Sequence, residues 1–339
     1  MAESTLMPPL RILRRRIVLA TAATLLAPAP RAQQTRKVAR VGIVFNIHRL
    51  ADLQGDKPVD PLMREFLVSL REHGWVDGRN LVIERRSAEG KLDLVEGIVR
   101  ELAGLPVDVI VVAGHAATLA ARRATSTVPI VTTGMIKPVE SGLATSLARP
   151  GGNVTGSVID FGNEVQRKRL EILHELLPKA RRVVMLYNKE TMGPQAETTA
   201  AASSLNLTLA YVDAQLPDID AGLRAVEAER PDALLVAPTV PLYGYFRRVV
   251  AFAARARLPD VYGIQEAVEA GGLASYGVDT YETFRRTAGY VHRILQGVKP
   301  GDLAIQKADT YKLVVNRARA RALGIAIPPA LEQRAQTVE

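Results

Sequence analysis

The chain contains no cysteine in its 339 residues, and only 5% of its residues are aromatic. Without cysteine there can be no disulfide, no thiolate catalysis, no cysteine-based zinc site and no lipid anchor on a cysteine. Histidine is also scarce, and none of the five histidines lies at metal-ligand spacing from another. We therefore expect neither a metal site nor a cofactor.

The common short catalytic motifs are missing too. The sequence has no G-x-S-x-G, H-E-x-x-H or G-x-x-x-x-G-K-[ST] pattern. The glycine-rich segment Gly151–Gly156 is not set between a strand and a helix, so it favours a tight turn over a phosphate-binding loop. We expect a protein that is not an enzyme. A two-lobed α/β enzyme, such as a sugar-nucleotide transferase, is the alternative of a different class.

Positive charge is concentrated near the start of the sequence. The formal net charge is +9, and residues 1–32 contribute +4 of it, which leaves +5 for the rest. The remaining basic residues are mixed with acidic ones and form no dense stripe interleaved with aromatics. This pattern indicates that the protein does not bind nucleic acid.

The first 32 residues have the layout of a secretory signal peptide. The basic cluster Arg14–Arg16 precedes a short apolar run, Ile17–Leu26, and Ala32 supplies a small residue for cleavage. The Arg15–Arg16 pair is typical of the twin-arginine route, although many general secretory signals contain it as well. We expect cleavage near Ala32, a periplasmic location and no stable membrane insertion. A short membrane helix or a buried helix is the alternative.

From Val38 onward, β-type and helical segments alternate, and the pattern restarts after a break at Pro150–Gly152. Such alternation specifies parallel sheets covered by helices. The sequence therefore predicts two doubly wound, Rossmann-like α/β lobes with a ligand site in the cleft between them. We assign residues 33–152 and 277–302 to the first lobe, and residues 153–276 and 303–335 to the second.

His115 follows the predicted strand Asp108–Val112 and stands at the start of a helix that continues from Ala116. Backbone N–H groups at a helix start can bind an anionic ligand group. His115 is therefore a candidate ligand contact, and an exposed histidine in a structural turn is the alternative.

Long segments of the chain resemble the ABC transporter substrate-binding protein family that includes tryptophan- and tyrosine-type binding proteins. The resemblance is carried by REFLVSLREHGWVDGRNLVIERRSAEG, PIVTTGMIKPVESGLATSLARPGGNVTG, VEAGGLASYG and LVVNRARARALGIAIPPAL, which begin at Arg64, Pro129, Val268 and Leu313. It implies a type I periplasmic-binding fold with a three-crossover hinge, no catalysis, and a partner permease with its ATPase. We expect a monomer that closes its lobes on a small-molecule ligand, with a periplasmic sensing subunit of a signalling system as the alternative.

The resemblance also implies which loops face the cleft. Their residues are Phe45, Asn46, Gly114, His115, Ala116, Thr132, Thr133, Gly134, Asn188, Pro238, Thr239, Tyr262 and Tyr276. One position departs from the family pattern, because Lys137 stands where the family usually has aspartate. Together with His115, this lysine favours a ligand that carries a carboxylate, with an apolar or aromatic body facing Tyr262 and Tyr276. The alternative is a solvent-facing lysine.

The predicted signal peptide leads to a test of export. We expect a mature N-terminus at Gln33 and release of the protein by osmotic shock, measured by N-terminal sequencing of the released fraction. The double variant Arg15→Lys, Arg16→Lys should block export through the twin-arginine route. Unchanged export of this variant would point to the general secretory route, and an intact Met1 on active cytoplasmic protein would contradict the prediction altogether.

Overall fold

The computed structural model describes residues 38–159, 163–192 and 194–339. The predicted signal peptide lies outside the described residues. In the described part of the chain, no helix has the length and apolarity needed to cross a membrane.

Strands and helices alternate along the described chain. The strands are β1 (Ala39–Phe45), β2 (Leu81–Ser87), β3 (Val109–Val112), β4 (Ile130–Met135), β5 (Val154–Val158), β6 (Arg182–Tyr187), β7 (Thr208–Asp213), β8 (Ala233–Val236), β9 (Asp260–Tyr262), β10 (Ala274–Val278), β11 (Gln306–Lys307), β12 (Tyr311–Asn316) and β13 (Gln336–Val338). The helices are α1 (Pro61–Glu72), α2 (Val95–Ala103), α3 (His115–Ala124), α4 (Asn163–Leu176), α5 (Ala196–Ser204), α6 (Ile219–Ala228), α7 (Val240–Tyr243), α8 (Phe246–Arg255), α9 (Gln265–Glu269), α10 (Thr280–Leu295), α11 (Arg317–Leu323) and α12 (Pro329–Arg334). Short 3-10 turns occupy Leu50–Leu53, Leu92–Leu94 and Pro300–Asp302.

The strands form two sheets with the same internal order. In the first sheet the order is β2-β1-β3-β4-β5-β11, and all neighbours are parallel. In the second sheet β7-β6-β8-β9-β10 repeats that pattern in parallel, and β12 and β13 extend it beyond β10. This is the flavodoxin-like doubly wound order. The predicted α/β class with two doubly wound lobes is therefore confirmed.

Each sheet is buried on both faces because its central strands are runs of valine, isoleucine and leucine. In the first lobe, one apolar cluster packs α1 and α10 on the sheet, and another packs α2 and α3 on the opposite face. In the second lobe, α4 and α5 cover one face, and α6 and α8 cover the other. The helices thus hold the carboxyl ends of the strands, and the loops that follow them, in fixed positions.

The chain passes between the lobes three times. The crossings lie between β5 and α4, between β10 and α10, and between β11 and β12. Two backbone hydrogen bonds join neighbouring crossings: Ala308 N–H donates to the carbonyl of Val158 at 2.8 Å, and Asp279 N–H donates to the carbonyl of Thr310 at 2.9 Å. The expected three-crossover hinge is present.

Strand pairing corrects the expected lobe boundaries at two places. Residues 153–158 were assigned to the second lobe, but β5 pairs with β4 and belongs to the first sheet. Residues 303–307 were also assigned to the second lobe, but β11 pairs with β5. The break at Pro150–Gly152 is a turn inside the first lobe, where Gly151 adopts φ 74° and donates to the carbonyl of Gly301. A glycine-rich turn in sequence does not reveal which sheet the next strand joins.

A pair of histidines joins α1 to α10. The rings of His73 and His292 stack with centroids 4.5 Å apart, and Trp75 Nε1 donates to His292 Nδ1 at 3.1 Å. Burial, with the neighbouring His73, lowers the pKa of His292. Protonation of His292 would add a charge to a packed interface and remove the acceptor for Trp75.

This arrangement predicts a loss of stability in mild acid. Because the pKa of His292 is lowered in the folded state, the unfolded protein binds a proton more readily below about pH 6.5. The stabilising contribution of His292 is therefore present above that pH and is lost as the pH falls. In His292→Gln the urea midpoint should depend less on pH between about 7 and 5 than in wild type. Equal pH dependence in the two proteins would contradict this role.

Candidate functional site

A cavity of about 150 Å³ lies where the carboxyl ends of the strands of both sheets face each other. Its first-lobe wall follows β1, β3, β4 and β5, and its second-lobe wall follows β8, β9 and β10. The first-lobe residues are Asn46, Ile47, His48, Leu62, Ala113, Gly114, Thr133, Ile159 and Phe284. Of these, Leu62 lies on α1 and Phe284 on α10. The second-lobe and crossover residues are Val236, Ala237, Pro238, Thr239, Val240, Leu242, Tyr243, Phe246, Tyr262, Gly263, Ile264, Val278 and Thr280.

This position follows from the topology. In a doubly wound sheet, a crevice opens at the carboxyl edge where the strand order reverses. That reversal lies between β1 and β3 in the first sheet and between β6 and β8 in the second. The cavity therefore uses the switch point of the first lobe, and on the second lobe it is shifted towards β8 and β9.

The walls are mainly apolar and include aromatic side chains from both lobes. Phe284 comes from α10, Phe246 from α8 and Tyr243 from α7. The lobes touch beside the cavity, where a Cβ atom added to Gly114 would lie 3.4 Å from Val240 Cγ2. Such walls suit the apolar or aromatic body of a small molecule.

Five buried polar atoms of wall residues have no hydrogen-bond partner within the described chain: Asn46 Oδ1, Thr239 Oγ1, both ring nitrogens of His48 and the hydroxyl of Tyr262. The Nδ2 group of Asn46 donates to the carbonyl of Ala113, which fixes the amide orientation. Asn46 Oδ1 is therefore an acceptor beside the cavity, while the hydroxyl of Thr239 can donate or accept. Buried polar groups of this kind are costly unless a partner satisfies them.

His48 stands in the wall next to Asn46. Its ring meets Tyr243 edge-on, with centroids 5.3 Å apart, and its Nε2 lies 3.5 Å from Asp60 Oδ2. Burial lowers the pKa of His48, and the negative charges of Asp60 and Asp52 partly oppose this shift. The imidazole is therefore neutral at neutral pH and can present both a donor and an acceptor.

The start of α3 gives the first-lobe wall a site for negative charge. Gly114 precedes the helix with φ 88° and lies in the wall. The first N–H groups of a helix have no intrahelical partner, and the helix dipole adds positive potential there. The His115 ring does not line the cavity, and its Nδ1 accepts from the N–H of Ile136 at 3.3 Å. Burial lowers the pKa of His115.

The structure brings together some of the residues expected at the cleft. Asn46, Gly114, Thr133, Pro238, Thr239 and Tyr262 line the cavity. Tyr262 does so from within the second-lobe core, where its side chain is buried (1% exposed).

The other expected residues lie outside the cavity wall. Phe45 is buried beneath it and stacks on Phe284, with centroids 5.8 Å apart. Thr132 is buried and hydrogen-bonded to Thr118. Ala116, Gly134, Asn188 and Tyr276 are also absent from the wall.

Lys137 lies on the surface. Its ammonium group is 2.9 Å from Glu140 Oε2, and both side chains are more than two-thirds exposed. The positive charge that the sequence placed near the ligand is therefore paired with a carboxylate in solvent.

Several wall residues were missed by sequence reasoning. Ile47 and His48 immediately follow Asn46, so their position after β1 was a usable signal. Tyr243 belongs to a four-residue helix that has no periodic pattern, and Phe246 and Phe284 occupy helices whose amphipathic pattern indicates only core packing. Among the described residues, no cluster of three or more histidine, aspartate or glutamate side chains could hold a metal ion.

Comparison with known proteins gives consistent results. The family model described as ABC transporter substrate binding protein matches residues 59–339. A tyrosine-binding protein of Clostridioides difficile is 26% identical over 272 residues, which cover 78% of this chain and 77% of that protein.

Two solved structures share the fold across most of the chain. A conserved domain protein from Vibrio cholerae is 28% identical with a TM-score of 0.74, and covers 89% of this chain and 100% of its own. The ABC domain from Streptococcus pneumoniae in complex with L-Trp is 24% identical with a TM-score of 0.72, and covers 89% and 99%. The expected type I periplasmic-binding fold is confirmed by these structures.

Proposed function

Because the chain belongs to the ABC transporter substrate-binding protein family, we propose that it is the extracytoplasmic, non-catalytic solute receptor of an ABC importer. In this role the two lobes close on a small molecule and present it to a membrane permease, which an ATPase drives. The apolar cavity between the carboxyl edges of two doubly wound sheets carries the proposal. The secretory layout of residues 1–32 supports a periplasmic location.

We further propose that the ligand combines a large apolar body with a carboxylate and an N–H donor, as an aromatic amino acid does. The aromatic and aliphatic walls suit the body. The start of α3 suits the carboxylate, and Asn46 Oδ1 supplies an acceptor for an ammonium group. The tyrosine- and L-Trp-binding relatives support this choice of ligand class.

Calorimetry with a matched set of compounds tests this ligand class. We expect L-tryptophan, L-tyrosine or L-phenylalanine to bind more tightly than 3-phenylpropanoate, which lacks the ammonium group, and than phenethylamine, which lacks the carboxylate. Each loss should weaken binding by about 1–3 kcal/mol, since a buried protein group is left without its charged partner. Binding of myo-inositol in preference to all of these compounds would contradict the proposal.

Variants of the wall separate the two lobes' contributions. Asn46→Leu should weaken binding of the preferred amino acid by about 1–3 kcal/mol through loss of the acceptor. Phe246→Ala should weaken it through lost apolar contact. Lys137→Ala is the matched control, because its ammonium group is exposed and paired with Glu140, and it should bind like wild type. A clear loss of affinity in Lys137→Ala would instead support the ligand contact that the sequence indicates.

A further inference from the structure

Glu266 is a buried carboxyl group immediately behind the cavity wall. It lies on α9 of the second lobe and is 3% exposed. Two wall residues donate to the same carboxyl oxygen, Oε1: the hydroxyl of Thr280 at 2.6 Å and the hydroxyl of Tyr243 at 3.1 Å. Its other oxygen, Oε2, is buried without a hydrogen-bond partner in the described chain.

Both donors lie where the lobes meet. Tyr243 belongs to α7 of the second lobe, yet it packs against the apolar core of the first lobe and meets the ring of His48 edge-on. Thr280 begins α10, directly after the crossing from β10. Separation of the lobes would withdraw Tyr243 from His48 and admit water towards Glu266. The carboxyl group therefore joins an interlobe contact to the hinge.

The surroundings of Glu266 disfavour its ionised form. Burial raises its pKa to about 7, and the negative charge of Glu269 adds to the shift, while the hydrogen bonds from Thr280 and Tyr243 oppose it. Asp60 on the facing α1 terminus and the half-buried Tyr281 on α10 bring no positive charge.

The neighbouring ionisable groups have other partners. His48 is held neutral by its lowered pKa. The ammonium group of Lys312 on β12 lies 3.8 Å from Asp279 Oδ2. A protonated Glu266 fits the hydrogen bonds, since Oε1 then acts as a carbonyl acceptor and Oε2 carries the proton.

We propose that Glu266 is the residue that positions Tyr243 and Thr280 in the closed cleft, and that it does so in its protonated form, so that ligand capture takes up a proton. This rests on the proposed function of the cleft as a ligand-binding site. Glu266 acts through its two donors and does not itself line the cavity.

The direction of the pH effect follows from linkage. The closed form holds a proton on Glu266 that the open form, with its carboxyl group in water, releases above its ordinary pKa of about 4.3. Closure is therefore unhindered below that pH and becomes progressively less favourable as the pH rises towards 7. Above about pH 7 both forms are ionised, and the penalty stays constant.

The test compares the affinity for L-tryptophan of wild type and Glu266→Gln by calorimetry from pH 5 to 8. Relative to the variant, the wild-type dissociation constant should rise by up to about tenfold per pH unit between roughly pH 5 and 7 and then level off. The ratio of the two proteins cancels the titration of L-tryptophan and of His48. Parallel pH profiles would overturn the proposal.

Two further variants move the profile in opposite directions. Tyr243→Phe removes a hydrogen bond that lowers the pKa of Glu266, so its profile should shift to higher pH. Glu269→Gln, at an exposed position on the same helix, removes a negative neighbour and should shift the profile slightly to lower pH. If both variants shift in the same direction, the titrating group is not Glu266.

A measurement without ligand keeps this proposal separate from the ligand class. If L-tryptophan binds at no pH, the proposed ligand class fails, and infrared difference spectroscopy of ligand-free protein with its lobes held closed decides the role of Glu266. A disulfide between Ile47→Cys and Gly244→Cys would hold them, because a Cβ atom at Gly244 would lie 3.6 Å from Ile47 Cβ and the chain has no other cysteine. A protonated-carboxyl band that disappears near neutral pH in this closed protein, and is missing when Glu266→Gln is added, supports the proposal. Ionisation of Glu266 already complete at about pH 5 in the closed protein would refute it.

Discussion

A single buried guanidinium group holds together the parts of the hinge that lie in the second lobe. Arg169 on α4 is 1% exposed, and its Nε donates to the carbonyl of Tyr276, in the middle of β10, at 2.6 Å. Tyr276 in turn stacks on Tyr311, the first residue of β12. These elements adjoin the three crossings, so Arg169 and the two stacked tyrosines connect the second-lobe segments next to all three.

The residues around Arg169 accommodate a buried positive charge. Burial lowers its pKa to about 10, and within the described chain its Nη1 donates to the neutral side chain of Gln166 at 2.9 Å. Glycines allow the close approach, since a Cβ atom at Gly263 would lie 2.7 Å from Arg169 Nη2, and one at Gly277 would lie 1.9 Å from the carbonyl oxygen of Gly263. Because Gly263 also lines the cavity, Arg169 packs directly behind the wall of the proposed ligand site.

The sequence specified the fold better than the site. Runs of valine and isoleucine separated by amphipathic helices predict doubly wound lobes, because both faces of such strands must be covered. The sequence does not show which lobe contains β5, because a glycine turn is compatible with a following strand in either sheet. The resemblance predicts Asn46, Thr239 and Lys137 near the cleft, all in loops that follow strands. Asn46 and Thr239 line the cavity, whereas Lys137 extends into solvent, because a loop lysine reaches solvent as easily as a cleft. Tyr243 and Glu266 carry no local signal, and only tertiary contacts bring them to the cleft.

The polar atoms around the cavity determine how closure depends on the ligand. When the lobes meet, Asn46 Oδ1 and Thr239 Oγ1 are buried without a protein partner, and each such group costs about 1–3 kcal/mol. Contact between apolar walls favours closure, but these unsatisfied groups oppose it. A ligand that supplies their partners stabilises the closed form selectively, and a ligand can shift such an equilibrium only by its difference in affinity for the two forms. In the proposed role, the atoms that select the ligand therefore also make closure depend on that ligand.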